Sequence, residues 1–131
     1  AVGVPNFLSW LPKYRLKSAA RDLYSNLHLA KMSAIKANKD CSVNYYKNPD
    51  RYMVDLLNKT IRLSDYRSGI TFQGPNNETF AVAVITFNSR GTSNSGYAYL
   101  SDSGNTEHYR VGPLTSGAIK LQKWGGGTSW K

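Results

Sequence analysis

Three groupings of residues in this chain have types and spacings that could do chemistry. The first is Arg90–Leu100, RGTSNSGYAYL, where two glycines and a run of hydroxyl and amide side chains separate two apolar segments. A phosphate cradle of the P-loop type needs a strand, the spacing G-x-x-x-x-G-K-[ST], and then a helix. Gly91 and Gly96 have the glycine spacing, but no Lys follows. Tyr97, Tyr99 and Ser101 alternate with Ala98 and Leu100 at period two, as in a strand. The stretch therefore reads as a strand–loop–strand connection, with Asn94 and the glycines supplying left-handed backbone positions. The second grouping is the titratable set. His28 and His108 lie far apart with no third ligand in view, and the eight Asp and Glu residues are scattered with no evident acid–base pair. No Ser or Thr sits in a nucleophile-elbow pattern. The third is the C-terminal stretch, where Lys120, Lys123 and Lys131 alternate with Trp124 and Trp130. Cations interleaved with aromatic rings can hold a nucleic-acid backbone and stack its bases. The same residues also read as an edge strand guarded by lysines, and on residue types alone the edge-strand reading is preferred.

The residues that would position such groups belong to a chain of 131, enough for one domain with one core. The hydrophobic fraction of 40% and the nine tyrosines exclude a disordered chain. The net charge is +9 and the isoelectric point about 9.8. That balance either serves an anionic partner or only keeps the chain soluble. The excess is uneven: residues 1–40 carry seven Lys/Arg against two Asp, whereas 41–90 and 91–131 are each only +2. A single cysteine, Cys41, can form no intrachain disulfide, and it reads as a small buried apolar residue. No signal peptide or membrane span is evident. The start, AVGVPNFLSWLP, is apolar, lacks an initiator Met and runs straight into a helical pattern, so it reads as the trimmed end of something longer.

Phe7 to Asn38 predicts one long helix. Leu16, Ala20, Leu23, Leu27, Ala30 and Ala34 recur at spacings of four and three, which sets them on one stripe, widened by Ala19. Lys13, Lys17, Arg21 and Lys31 fall on a neighbouring face, and Leu11, Leu29 and Met32 lie off the stripe. Pro12 should weaken or kink the helix. After Asn38-Lys39-Asp40 the pattern changes to short β-branched and aromatic runs at 42–47, 51–57, 60–66, 69–72, 79–88, 96–101, 106–111 and 117–124. The expected architecture is α+β, with a helical spine over 1–40 and an antiparallel β part over 41–131 that together form one domain. The helix is expected to lie across one sheet.

Two blocks carry a resemblance. The join Val4-Pro5-Asn6-Phe7 and the helix RLKSAARDLYSNLHLAKMSAIKAN resemble type IV pilin-like proteins, and more narrowly the GspH/FimT family of minor pilins and pseudopilins. The matching residues are Arg15, Leu16, Ser18, Ala19, Ala20 and Leu23, then Leu27, Ala30, Ala34, Ile35, Lys36 and Asn38. In the second block, ITFNSRGTSNSGYAYL, they are Ile85, Phe87, Arg90, Gly91, Ser93, Asn94 and Gly96. In order and spacing the two blocks span most of the chain.

The resemblance implies a pilin-like fold, a long N-terminal helix packed on antiparallel β-sheets. It implies a non-enzymatic structural and assembly subunit of a type IV pilus or type II secretion fibre, without cofactor, metal or small-molecule substrate. Members are cleaved by a prepilin peptidase and methylated. They sit in the inner membrane through an apolar segment, which would lie upstream of Ala1, with the globular part in the periplasm or on a fibre. The implied partners are other pilins or pseudopilins, and Leu8, Leu11, Leu29 and Met32 are the expected filament contacts because they lie off the internal stripe. The alternative is a DNA receptor. FimT-like members implicated in DNA uptake carry G-R-x-R on the last strand. The matching Gly117-Ala118-Ile119-Lys120 replaces the first Arg by Ala and the second by Lys, which lacks the fork that suits phosphate. Lys120, Lys123, Trp124 and Lys131 are the expected DNA-binding residues.

Overall fold

The computed structural model describes residues 3–104, 107–124 and 130–131, with helix side chains from Leu11 onward except Pro12. Helix α1 runs from Gly3 to Ala37, 35 residues or about 52 Å, and is continuous through Pro12, where weakening or a kink was expected. Leu16, Ala20, Leu23, Leu27, Ala30 and Ala34 are all fully buried, and Ala19 nearly so. The stripe is alanine-rich because sheet backbone must approach the helix closely. Its three leucines contribute about 1.5–3 kcal/mol each by leaving water. The helix ends where Asn38 takes a left-handed φ of 54°. Its N–H bonds to Ile35 O (3.3 Å) and the Lys39 N–H to Ala34 O (3.2 Å), a Schellman closure that satisfies the last carbonyls.

Two four-stranded antiparallel sheets follow, where the residue pattern alone led to one. Sheet A has the order β3-β2-β1-β5, with β1 Cys41–Tyr46, β2 Arg51–Val54, β3 Lys59–Arg62 and β5 Val84–Phe87. Sheet B has the order β4-β6-β7-β8, with β4 Thr71–Phe72, β6 Ala98–Ser101, β7 His108–Pro113 and β8 Ile119–Lys123. The apolar run 79–88 was expected to be one strand, yet it serves both sheets. Tyr99 N–H bonds to Thr79 O and Ala81 N–H to Tyr97 O, beside sheet B, whereas Val84–Phe87 pairs with β1 in sheet A. The chain crosses between sheets within this run, so its apolar character reflects burial and not one ladder. The expected strand 60–66 likewise stops at Arg62. Leu63–Tyr66 turns into a short 3-10 helix that buries Leu63.

The helix packs on β1 and β5 of sheet A and on β6, β7 and β8 of sheet B. Odd-numbered residues of β1 (Cys41, Val43, Tyr45) face this core, as do Ile85 and Phe87 of β5, and Tyr109 and Val111 of β7. An aromatic knot closes the gap between sheets: Tyr45 lies 5.7 Å from Phe72 and 5.4 Å from Phe80, and Phe72 lies 5.3 Å from Phe80. Edge and stacked pairs like these add about 0.5–1.5 kcal/mol each beyond burial.

Candidate functional site

Three surfaces stand out, and the elements above position each. The first is the outer face of α1. At 100° per residue, Leu11, Tyr14, Leu29 and Met32 fall within about 60° of one another and directly opposite the buried stripe. Leu29 is 43% exposed, Met32 48% and Tyr14 51%, and Ile35 flanks them at 40%. Leu11 is half-buried. Leu8 lies outside the described side chains. Tyr14 and Ile35 belong to this face but were not singled out from the sequence. Helical geometry alone would have placed Tyr14 with Met32.

The second surface is the outer face of sheet B. β7 and β8 pair with Arg110 opposite Gln122 and Gly112 opposite Lys120. Even-numbered residues of both strands therefore face away from the helix. Arg110 donates from Nε to Gln122 Oε1 at 2.7 Å. Its guanidinium lies 4.2 Å from the Tyr97 ring centroid and 4.7 Å from that of Trp130. Trp130 reaches this face by pairing beside the end of β8. Lys123 and Lys131 exchange backbone hydrogen bonds, and Trp124 and Trp130 bridge, with ring centroids 5.1 Å apart. Tyr99 closes the group at 5.7 Å from Trp130.

The four residues expected to bind DNA divide between two faces. Lys120 and Trp124 lie on the outer face with Arg110. Lys123, three residues from Lys120 in a strand of period two, lies on the helix side. There it ion-pairs with Glu107 (3.5 Å) and stands 6.0 Å over the Tyr109 ring. Lys131 is exposed and is held by its backbone. Arg110, Tyr97 and Tyr99 were missed from the sequence. The available signal was an arginine set in the apolar run HYRVGP.

The third surface is the loop 88–97, which is a connection between β5 and β6 as expected. Only Gly91 of the expected trio takes a positive φ, 83°. Asn94 does different work: its amide donates to Val84 O (2.9 Å) and its carbonyl accepts from Thr86 N–H (2.8 Å), along the outer edge of β5. Gly91 lies against Ile35 and Lys31 of the helix, and Gly117 of the β7–β8 turn lies against Gly91 O. Lys31 Nζ donates to Gly117 O at 3.1 Å. Loop, turn and helix are thereby tied together beside Met32.

Among the described residues, chemistry-bearing groups do not converge. His28 is half-exposed and edge-on to Tyr24 at 4.7 Å, and burial together with nearby Lys31 lowers its pKa. His108, buried at the start of β7, places Nδ1 3.2 Å from Gln73 O. Cys41 is buried and free, and burial pushes its thiol pKa up. Among the described residues no three His, Cys, Asp or Glu side chains could hold a metal ion together. No described helix is long and apolar enough to cross a membrane.

The family described as type II transport protein GspH matches residues 19–117, three quarters of the chain. The chain belongs to the GspH family. None of the curated proteins compared matches it. Among solved structures its fold is similar to that of the type IV minor pilin FimU from Pseudomonas aeruginosa strain PAO1. One crystal form aligns at TM-score 0.65 and 17% identity, over 86% of this chain and 91% of that one. A second aligns at TM-score 0.57 and 19% identity, over 81% and 91%. At such identities the likeness establishes the fold: one N-terminal helix on two antiparallel sheets. Within the GspH family the subunits are pilins and pseudopilins.

Proposed function

We propose that this GspH-family chain is a structural and assembly subunit of a type IV pilus or type II secretion fibre. It is held at the inner membrane before assembly by an apolar segment upstream of Ala1, with the globular part in the periplasm. The observation that carries the reading is the apolar row on α1. A helix that already buries a full stripe against two sheets presents Leu29 and Met32, with Leu11 and Tyr14, on the opposite side. Burying those two half-exposed side chains against a neighbour contributes about 1–3 kcal/mol per contact, and a fibre repeats the contact along its length. The neighbours are other pilins or pseudopilins.

The test is incorporation. Leu29→Asp and Met32→Asp in the full-length protein should leave the isolated fold within about 0.5 kcal/mol of wild type, because both sites are exposed. The variant subunits should be lost from sheared fibres. Wild-type incorporation of both variants would refute the helix face as the contact. Scoring pilus-dependent motility, protein export and DNA uptake separately in a deletion strain assigns the machine.

A second reading, a DNA-binding minor pilin, is favoured by one observation. The outer face of sheet B sets Lys120 and Trp124 beside Arg110, Tyr97, Tyr99 and Trp130. This mixture of cations and rings suits a single strand, and Arg110 supplies a guanidinium on the face where the Gly117–Lys120 stretch has none.

A further inference from the structure

The charge on the other side of sheet B is built differently. Between the N-terminal part of α1 and the end of sheet B lies an open cleft of about 290 Å³, lined by Lys13, Tyr14, Lys17, Glu107, Tyr109 and Lys123. Three ammonium groups line it together with one carboxylate. Glu107 is 3.4 Å from Lys13 Nζ and 3.5 Å from Lys123 Nζ, both long for an ion pair. Lys17 has no ion-pair partner among the described residues, and neither has exposed Arg21 one turn on. The lysines stay largely in water, with the side chain of Lys13 57% exposed and that of Lys123 51%. The cleft thus keeps a net +2, with a ring on each side and room for a small anion.

We propose that this cleft holds the phosphate of an anionic phospholipid headgroup at the surface of the bilayer that anchors the subunit. The proposal rests on the membrane-anchored reading above and adds a second, globular-domain contact to it. The lipid source, and not free phosphate, follows from the order of residues. Residues 1–12 contain no charged side chain, Lys13 is the first, and Lys13, Lys17 and Arg21 then recur at four-residue intervals. Trp10 and Tyr14 bracket the change. An uncharged stretch followed by aromatic and basic residues is the pattern of a segment leaving a bilayer, where long lysine stems reach the headgroups. Lys123 and Tyr109 come from the opposite end of the sequence, so the fold, not the helix alone, completes the site. The contact would fix the tilt of the globular part on the membrane until the fibre takes the subunit up.

The experiment floats this chain with vesicles of phosphatidylcholine alone or with added phosphatidylglycerol. The readout is the ratio of the two partition coefficients, which cancels charge-blind insertion of residues 1–12. Near-surface lysines count for about 5-fold each in binding to anionic membranes. Lys17→Gln/Lys123→Gln should therefore lower the ratio by about 30-fold. Lys36→Gln/Lys39→Gln, which removes the same charge from the far end of the helix, should lower it far less. Lys17→Arg/Lys123→Arg should keep most of it, which separates loss of charge from loss of fold. Equal losses in the two Gln pairs would overturn the cleft in favour of generic charge. Saturable binding of inorganic phosphate without vesicles, at constant ionic strength, together with a ratio near one, would overturn the lipid source in favour of a free-anion site. Loss of the lipid effect alongside intact fibre incorporation would overturn this inference alone and leave the assembly reading standing.

Discussion

Gly117 is the position where a single methyl group should do most damage. Its φ is +88°, and a Cβ built there would lie 1.8 Å from Gly91 O, a backbone atom that cannot swing away. The left-handed conformation costs a non-glycine residue about 1–2 kcal/mol. Separating the turn from the 88–97 loop adds about 1–3 kcal/mol of strain or lost packing. The hydrogen bond from Lys31 Nζ to Gly117 O, half in solvent, adds about 1 kcal/mol more when it breaks. Gly117→Ala should therefore cost about 3–6 kcal/mol. With a urea m-value of about 2 kcal/mol/M, the midpoint falls by about 2 M. Gly91→Ala is the control. Its φ of +83° carries the same conformational cost, but its Cβ would meet only the flexible ends of Ile35 (3.1 Å) and Lys31 (3.3 Å), so the midpoint should fall by under about 1 M. Equal shifts for the two variants, or a Gly117→Ala midpoint within experimental error of wild type, would refute the backbone clash as the dominant effect.

Alkaline pH should unfold the protein through its buried tyrosines. Tyr45 and Tyr52 have pKa values raised well above 10, chiefly by burial and further by neighbouring charge, Tyr52 acting on Tyr45 and Asp22 on Tyr52. Their stabilising protonated state is fully kept below pH 10 and is lost above it, where the unfolded chain ionises first. The loss is about 1.4 kcal/mol per pH unit for each tyrosine. Urea midpoints from about pH 9 to about pH 11 should fall accordingly, and Tyr45→Phe should flatten the slope at no cost in stability, because its buried hydroxyl has no hydrogen-bond partner among the described residues. If the outer face of sheet B binds single-stranded DNA, Arg110→Ala should weaken it by about 5- to 30-fold in anisotropy at near-physiological salt, through lost stacking as well as charge. Lys123→Ala should change it by no more than one generic charge does. Equal effects from the two would remove the second reading.

Much of the helix was legible because its burial is one-sided. The three-and-four spacing named the whole buried stripe from Leu16 to Ala34, and the same wheel put Leu29 and Met32 outside. Strand existence was legible too, but sheet membership was not. Residues 79–88 look alike in apolar character although the first part lies beside β6 and Val84–Phe87 pairs with β1, and that partition depends on non-local partners. The face of β8 was readable and was passed over. A spacing of three in a strand puts Lys120 and Lys123 on opposite sides, whereas reading the tail as a linear alternation of Lys and Trp merged them. Locally, Arg110 showed only as an arginine in the run HYRVGP; its stacking partners Tyr97 and Trp130 come from elsewhere in the chain. The lysine cleft needed three distant segments to meet.

The side chain of Asn94 has one more consequence. By occupying the Val84 carbonyl and the Thr86 N–H it fills the place where another chain's strand would dock on sheet A. On the assembly reading proposed above, the subunit is crowded with its own kind at high local concentration, where an open strand edge invites uncontrolled stacking. With the β5 edge stoppered by a side chain, that reading would have the subunit grow through the helix face, where Leu29 and Met32 stand exposed.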